Sequence, residues 1–64
     1  MSRRLVPVQE MTTHAGTPAQ IKADFEAEFA TRRSLGWRVT HVVPAVTNGS
    51  TSALLVIWEV EVFE

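Results

Sequence analysis

The last third of the chain alternates apolar and polar positions with the period of a β-strand. Within residues 53–63 every even position carries a large apolar side chain: Leu54, Val56, Trp58, Val60 and Val62. Successive side chains of a strand point to opposite faces, so these five share one face. The odd positions begin apolar, with Leu55 and Ile57, and turn acidic at Glu59 and Glu61. The pattern predicts a long strand with one buried face.

A helix start is marked at Thr17. Thr17 and Gln20 have the spacing of a capping box, in which each side chain accepts a hydrogen bond from the other residue's backbone N–H. Pro18 then occupies the first helical position, where a missing N–H is tolerated. The helix is predicted to begin at Pro18.

An apolar stripe continues this helix to residue 35. Ile21, Phe25 and Phe29 recur every four residues, a spacing that places them on one helical face. Gly36 suits the residue with positive φ that follows many helix C-termini. We therefore expect a helix over residues 18–35.

A second strand is predicted at 37–43, where β-branched residues are frequent. Asn48-Gly49 follows, the strongest short signal for a two-residue hairpin turn. Pro44 cannot donate to a strand ladder, so a longer loop is the alternative.

The two-residue turn sets a register. Opposing residue numbers then sum to 97, so Arg38 faces Glu59 as an ion pair. In this register the face under the helix is built from Trp37, Val39, His41, Val43, Leu54, Val56, Trp58 and Val60. The opposite face then carries Val42 beside Leu55 and Ile57.

The N-terminal part of the chain holds a weaker strand within residues 3–11. Pro7 restricts it to a sheet edge or a bulge. Residues 11–16 are predicted to be a polar connection. The element order is thus β-α-β-β, which predicts a single α+β domain over residues 1–64. Its three-stranded antiparallel sheet has the order 1-3-2, with one helix packed on one face.

One helix leaves the second sheet face bare, and the chain has little else to stabilise it. The chain has 64 residues and no cysteine, so neither a disulfide nor a thiolate metal site can stabilise the fold. An exposed apolar face on so small a domain favours self-association. We expect a homo-oligomer with Val42, Leu55 and Ile57 in its interface.

Charge and composition exclude several classes of protein. Six basic and seven acidic side chains give a net charge of −1, which argues against nucleic-acid or anionic-membrane partners. Neither a signal peptide nor an apolar membrane span is visible, so a cytoplasmic protein is expected.

Candidate catalytic groups are few. His14 and His41 lie far apart, without the spacing of metal ligands, and we expect no metal site. His41 is expected to pack in the core or at its rim, and His14 to be solvated or to belong to a ligand-binding loop. Glu59 and Glu61 are interpreted as a charge cluster that aids solubility. No catalytic residue is predicted; His41 or Glu59 would be the base if the protein were an enzyme built at a subunit interface.

Arg32 lies within the apolar stripe, with Glu28 one turn earlier. Its charge either reaches past the sheet edge while its stem packs, or serves an interface or an anion. Together with Arg38 it predicts a small basic spot. Trp37 packs in the core or stacks on a planar ligand at the rim. The predicted ligand-binding residues are Arg32, Trp37, Arg38 and His41.

Two families show a similar pattern. Ser34-Leu35-Gly36-Trp37-Arg38-Val39, followed by Val42-Val43-Pro44 and an apolar last strand, resembles the bacterial and phage family called domain of unknown function 4177. That resemblance implies the β-α-β-β fold and no established activity. The chain is also similar in topology to dodecins, twelve-chain shells in which a tryptophan stacks on flavin. The flavin-contacting glutamine of their last strand is missing here, and we expect no cofactor.

These observations predict a small, non-enzymatic, oligomeric binding module. Its ligand would be either a protein partner or a small anionic molecule such as a nucleotide, for example one sequestered in phage or bacterial defence. The alternatives are a dodecin-like flavin shell and the interface-built enzyme.

Overall fold

The fold is a three-stranded sheet with one helix on one face. A computed structural model describes residues 3–64. In chain order it contains β1 (Leu5–Ala15), α1 (Pro18–Ser34), β2 (Arg38–Thr47) and β3 (Ser50–Phe63). The sheet order is β1-β3-β2, and both neighbours of β3 run antiparallel to it. The predicted α+β fold and strand order are confirmed.

Both ends of α1 follow their local sequence signals. Thr17 and Gln20 form the expected capping box, with Pro18 in the first turn. At the other end Gly36 has φ +90°. The Gly36 N–H donates to the carbonyl of Arg33, and the Trp37 N–H donates to that of Arg32. This is the Schellman pair of bonds, which satisfies two carbonyls that the helix leaves free.

The strand β1 is longer than the sequence indicated. It runs to Ala15 rather than ending near residue 11, and the polar segment 11–15 continues the ladder with β3 without a register shift. The predicted polar connection is therefore wrong. Pro7 lies in an edge strand, as its missing N–H requires.

The turn between β2 and β3 is the predicted Asn48-Gly49 pair. Asn48 has φ +51° and Gly49 has φ +79°, and Thr47 pairs with Ser50 across the turn. Positive φ at both central residues is the requirement of a type I′ turn. The longer loop is thus excluded.

The predicted register holds at both ends of the hairpin but fails between them. Arg38 pairs with Glu59 and Val39 with Trp58 as expected, but the ladder then shifts by one residue, so that His41 pairs with Ile57. The shift begins at a bulge between Val39 and His41 and ends at a second one between Ala45 and Val46.

This shift exchanges the faces of the five β2 residues 41–45. Val42 now lies opposite Val56 on the helix side, whereas His41 and Val43 lie opposite Ile57 and Leu55 on the other side. The expectations that His41 faces the helix and that Val42 joins Leu55 and Ile57 are both wrong.

Pro44 provides the physical reason for the shift. The backbone groups of Ser52 and Glu64 bond to β1, so the even residues of β3 turn their N–H and C=O toward β1 and the odd ones toward β2. In the unshifted register Pro44 would face Ala53, whose carbonyl points toward β2 and needs an N–H donor that proline lacks. In the observed register Pro44 faces Leu54, whose backbone groups point toward β1, so no donor from β2 is needed.

Hydroxyl groups accommodate both bulges. Thr40, the extra residue on β2, donates from its side chain to the carbonyl of Ile57. Ser52, the extra residue on β3, donates from its side chain to the carbonyl of Ala45. Side-chain donors thus replace the backbone donors that the bulges displace.

The core is small and lies under α1. Within residues 3–64 the buried apolar side chains are Ile21, Val56 and Trp58. Phe25 and Phe29 of the helix pack on the Trp58 ring, with centroid separations of 6.0 and 6.3 Å. The helix packs over β1 and β3 and reaches β2 only marginally. We call the sheet face turned away from α1 the open face.

We expect Gly36→Val to lower the free energy of unfolding by about 1–3 kcal/mol, because a β-branched residue is strained at positive φ. Space is not the cause, since a Cβ at this position would lie 3.8 Å from its nearest neighbour, Val60. Gly36→Asn is the matched control, because asparagine tolerates positive φ better. Urea unfolding followed by circular dichroism measures both. Equal losses in the two variants would contradict the backbone explanation.

Candidate functional site

The guanidinium of Arg32 lies between two tryptophan rings at the C-terminal end of α1. Its central carbon is 4.8 Å from the ring centre of Trp37 and 5.3 Å from that of Trp58. Arg32 also pairs with Glu28 and Glu10, each at 3.0 Å. Its side chain is only 15% exposed. Arg32 is therefore a packed residue that joins the helix to β1 and to both aromatic rings.

The sheet divides the four predicted ligand-binding residues into two pairs. Arg32 and Trp37 lie together on the helix side. Arg38 and His41 lie on the open face, because they pair with Glu59 and Ile57. No single ligand on one face can contact all four directly.

Arg38 is held by acidic neighbours on β3. It forms a hydrogen-bonded ion pair with Glu59, and Glu61 lies 3.9 Å away. The hydrogen bond from Arg38, followed by one from Gln9, lowers the pKa of the Glu59 carboxyl below its usual range. A carboxylate stabilised in its charged form is a weak base near neutral pH. The arrangement disfavours Glu59 as a catalytic base.

The open face consists of rows that cross the three strands. The row nearest the turn contains Ala15, Ala53 and Ala45; the next contains Thr13, Leu55 and Val43; the third contains Met11, Ile57 and His41; and the fourth contains Gln9, Glu59 and Arg38. We call the first three rows the apolar patch. Met11 is 59% exposed and Val43 53% exposed. Apolar side chains exposed together in this way are typical of an interaction surface.

A hydrogen-bonded chain of side chains connects β1, β3 and α1 on the other face. The Trp58 Nε1–H donates to the Thr12 hydroxyl at 2.8 Å, and this hydroxyl is 2.9 Å from Nε2 of His14. Nδ1 of His14 is 2.5 Å from a carboxylate oxygen of Asp24 on the helix. His14 is 3% exposed, so the expectation that it is solvated is wrong.

The order Asp24–His14–Thr12 matches the acid–base–nucleophile order of a hydrolase triad. The resemblance ends at Thr12, whose oxygen already bonds to a buried indole and an imidazole. Such an oxygen is not presented to a substrate. Instead the chain satisfies the polar atoms that α1 buries when it packs on the sheet.

Sequence reasoning missed this cluster because residues 10–14 are mostly polar and look like a loop. The signal that could have found it is the length of β3. A central strand of 14 residues needs a partner of similar length, which extends β1 through Thr12 to His14.

Other kinds of site are not found in the described part of the chain. No group of three or more potential metal ligands occurs within residues 3–64. In the same range no helix has the length and apolarity needed to cross a bilayer. A shallow, open groove beside α1 is lined by Ala15, Gln20, Ala23, Asp24 and Ala27, and it offers few polar groups to a ligand.

No protein-family model, curated protein or solved structure matches the chain. The resemblances to domain of unknown function 4177 and to dodecins therefore stay predictions.

Replacing Thr12 tests the role of the polar chain. Thr12→Val leaves the buried Trp58 N–H without an acceptor, and we expect a loss of about 1–3 kcal/mol in unfolding free energy. Thr12→Ser keeps the hydroxyl and is expected to retain most of the stability. Urea unfolding followed by tryptophan fluorescence compares the two. Equal stability of the Val and Ser variants would contradict a structural role for this hydroxyl.

The ion pair of Glu59 predicts a dependence of stability on acid. Because the pKa of Glu59 is lower in the folded chain, its contribution is complete above the pKa of the unfolded chain, about 4.3. That contribution is lost as the pH falls below this value. Arg38→Gln removes the main cause of the shift, so the variant should lose less stability than the parent between pH 5 and pH 3 in unfolding titrations. Identical pH profiles would contradict this assignment.

Proposed function

We propose that this chain is a non-enzymatic binding module that works as a homo-oligomer. The observation that carries the proposal is its surface area. The chain exposes 4784 Å². A folded monomer of its mass, 7.1 kDa, is expected to expose about 4,100 Å². The excess of roughly 700 Å² is close to the area of about 800 Å² that each partner buries in a standard interface.

The shape of the chain supports the same proposal. Its radius of gyration is 14.4 Å, whereas about 11 Å is expected for a compact domain of this length. Three buried apolar side chains give a core that is small even for 64 residues. Without a disulfide, a second chain is the most direct source of further apolar burial.

Between the two kinds of ligand, the contacts favour a protein partner. A small anion such as a nucleotide would compete with Glu10 and Glu28 for Arg32, and with Glu59 for Arg38. An apolar surface has no such competitor. The cytoplasm is the compartment we propose; without cysteine, the fold needs no oxidising compartment.

The two alternatives have less support. A flavin stacked on Trp37 could use only the ring face that Arg32 leaves free. An enzyme built on Glu59 would need this carboxylate released from Arg38. His41 forms none of the side-chain hydrogen bonds found within residues 3–64, so no neighbour orients it as a base.

The mass of the particle tests the proposal. We expect sedimentation at micromolar concentration to show a particle of at least twice 7.1 kDa. Because assembly stabilises the folded state by mass action, the melting temperature should rise with protein concentration. Native mass spectrometry of the same sample reports any small molecule that copurifies. A monomer at all concentrations, with a constant melting temperature, would overturn the proposal.

A further inference from the structure

We propose that a second copy of the chain packs on the open face, with a two-fold axis that crosses the strands at Leu55. This inference rests on the proposed homo-oligomer and adds where and in which register the copies meet. It follows from three properties of the described residues: a proline on each sheet edge, an apolar patch with the area of a small interface, and matching sizes across the proposed axis.

Each edge strand of the sheet carries one proline at an outward position. The Gly16 N–H donates to the carbonyl of Ser52, and the Glu64 N–H donates to that of Arg4. By alternation, the odd residues of β1 turn their backbone groups outward, and Pro7 is one of them. Pro44 likewise sits at an outward position of β2, opposite Leu54. Each edge thus lacks one outward donor, near the start of β1 and in the second half of β2, which disfavours edge-to-edge joining at these points.

The open face has the area of a small dimer interface. Three strands spaced about 4.8 Å apart, with paired strands of 11 residues, make a face of about 14 Å by 37 Å. About 27 Å of that length overlaps in the register described below, a flat area of about 380 Å² per copy, and the relief of the side chains raises it toward the roughly 500 Å² per partner of the smallest specific interfaces. The helix side offers less, because α1 occupies much of it.

The sizes of the side chains select the register. With the axis along the row of Leu55, the alanine row of one copy faces the row of Met11 and Ile57 in the other. Ala53 then faces the partner's Ile57, and Ala15 faces the partner's Met11, so small residues receive large ones. An axis along the strands would instead place alanine on alanine and isoleucine on isoleucine, whereas in the proposed register like residues meet only in the row of Leu55 on the axis.

The same register places the charged row at the end of the contact. The fourth row, with Glu59 and Arg38, lies over the turn end of the other copy, where Thr51 and Val46 are on the open face. The overlap of the two copies extends over five rows, about 27 Å. Such a contact is isologous and closes after two chains.

A size exchange tests this register. Ala53→Ile overfills one side of the contact and Ile57→Ala leaves a cavity, so each variant should raise the dissociation constant about tenfold or more. The double variant restores a large-on-small pair and should return to within about threefold of the parent. Within one chain these positions are about 14 Å apart on the same strand, so the rescue has to arise between copies. Analytical ultracentrifugation measures the constants.

A second pair of substitutions tests the register independently, in case the first pair disturbs folding. Ala15→Met with Met11→Ala tests the equivalent contact on β1 and should show the same loss and rescue. Circular dichroism and the fluorescence of the buried Trp58 confirm that each variant is folded. Double variants weaker than both of their singles would overturn the register.

Charge substitutions test the choice of face. Ile57→Glu, on the open face, should dissociate the particle to monomers, whereas Leu35→Glu, at an exposed apolar residue beyond α1, should leave its mass unchanged. The opposite result would overturn the open face but leave the homo-oligomer intact. A monomeric parent would instead overturn the proposed function and this inference together.

Discussion

One helix is narrower than the three-stranded sheet on which it packs, and this difference in width determines most of the structure. A helix is about 10 Å across with its side chains, while three strands make a sheet of about 14 Å with two faces. The helix α1 therefore lies over β1 and β3 and leaves β2 largely uncovered on the helix side and the whole open face bare. What it does cover is tightly organised: the Trp58 ring lies beneath two phenylalanines, and the side chains of His14 and Arg32 connect the helix to the sheet.

The positions of the prolines determine how the uncovered surfaces can be used. Pro44 is accommodated in a strand because two bulges shift the ladder around it, so that its missing N–H is not needed by β3. Pro7 has the equivalent position on the other edge. A sheet with a proline on each edge strand and an exposed apolar face is better suited to face-to-face packing than to the addition of further strands. The bulge that accommodates Pro44 also places Val43, instead of Val42, beside Leu55 on the open face.

Local signals in the sequence predicted local structure correctly. The ends of α1 and the Asn48-Gly49 turn depend on residues within one turn of the chain, so their patterns suffice. The hairpin register depends on whether Pro44 faces a carbonyl that needs a donor. That depends in turn on which backbone groups of β3 point toward β1, and no local pattern contains this information.

Among the candidate site residues, sequence reasoning predicted the ion pair of Arg32 with Glu28 because helical spacing defines it. It could not predict the contact of Arg32 with Glu10, because that contact depends on where α1 lies across β1, which no local pattern defines. Of the four predicted ligand-binding residues, only His41 changes sides because of the shift, since Arg38 faces Glu59 in both registers. A shift of one residue reverses the side to which a strand's side chains point.

The central position of β3 has a consequence for the order of folding. The first strand along the chain pairs with the last, across more than 35 residues, and the helix packs on a surface that needs both. The β2–β3 hairpin closes only a two-residue loop and can form early. In contrast, β1 and α1 gain their partners only after β3 has been synthesised. Before β3 is in place, β1 and β2 have no partner strand and the aromatic stripe of α1 has no Trp58 ring to pack on. The intermediates that precede this step therefore expose apolar surface that a chaperone can bind.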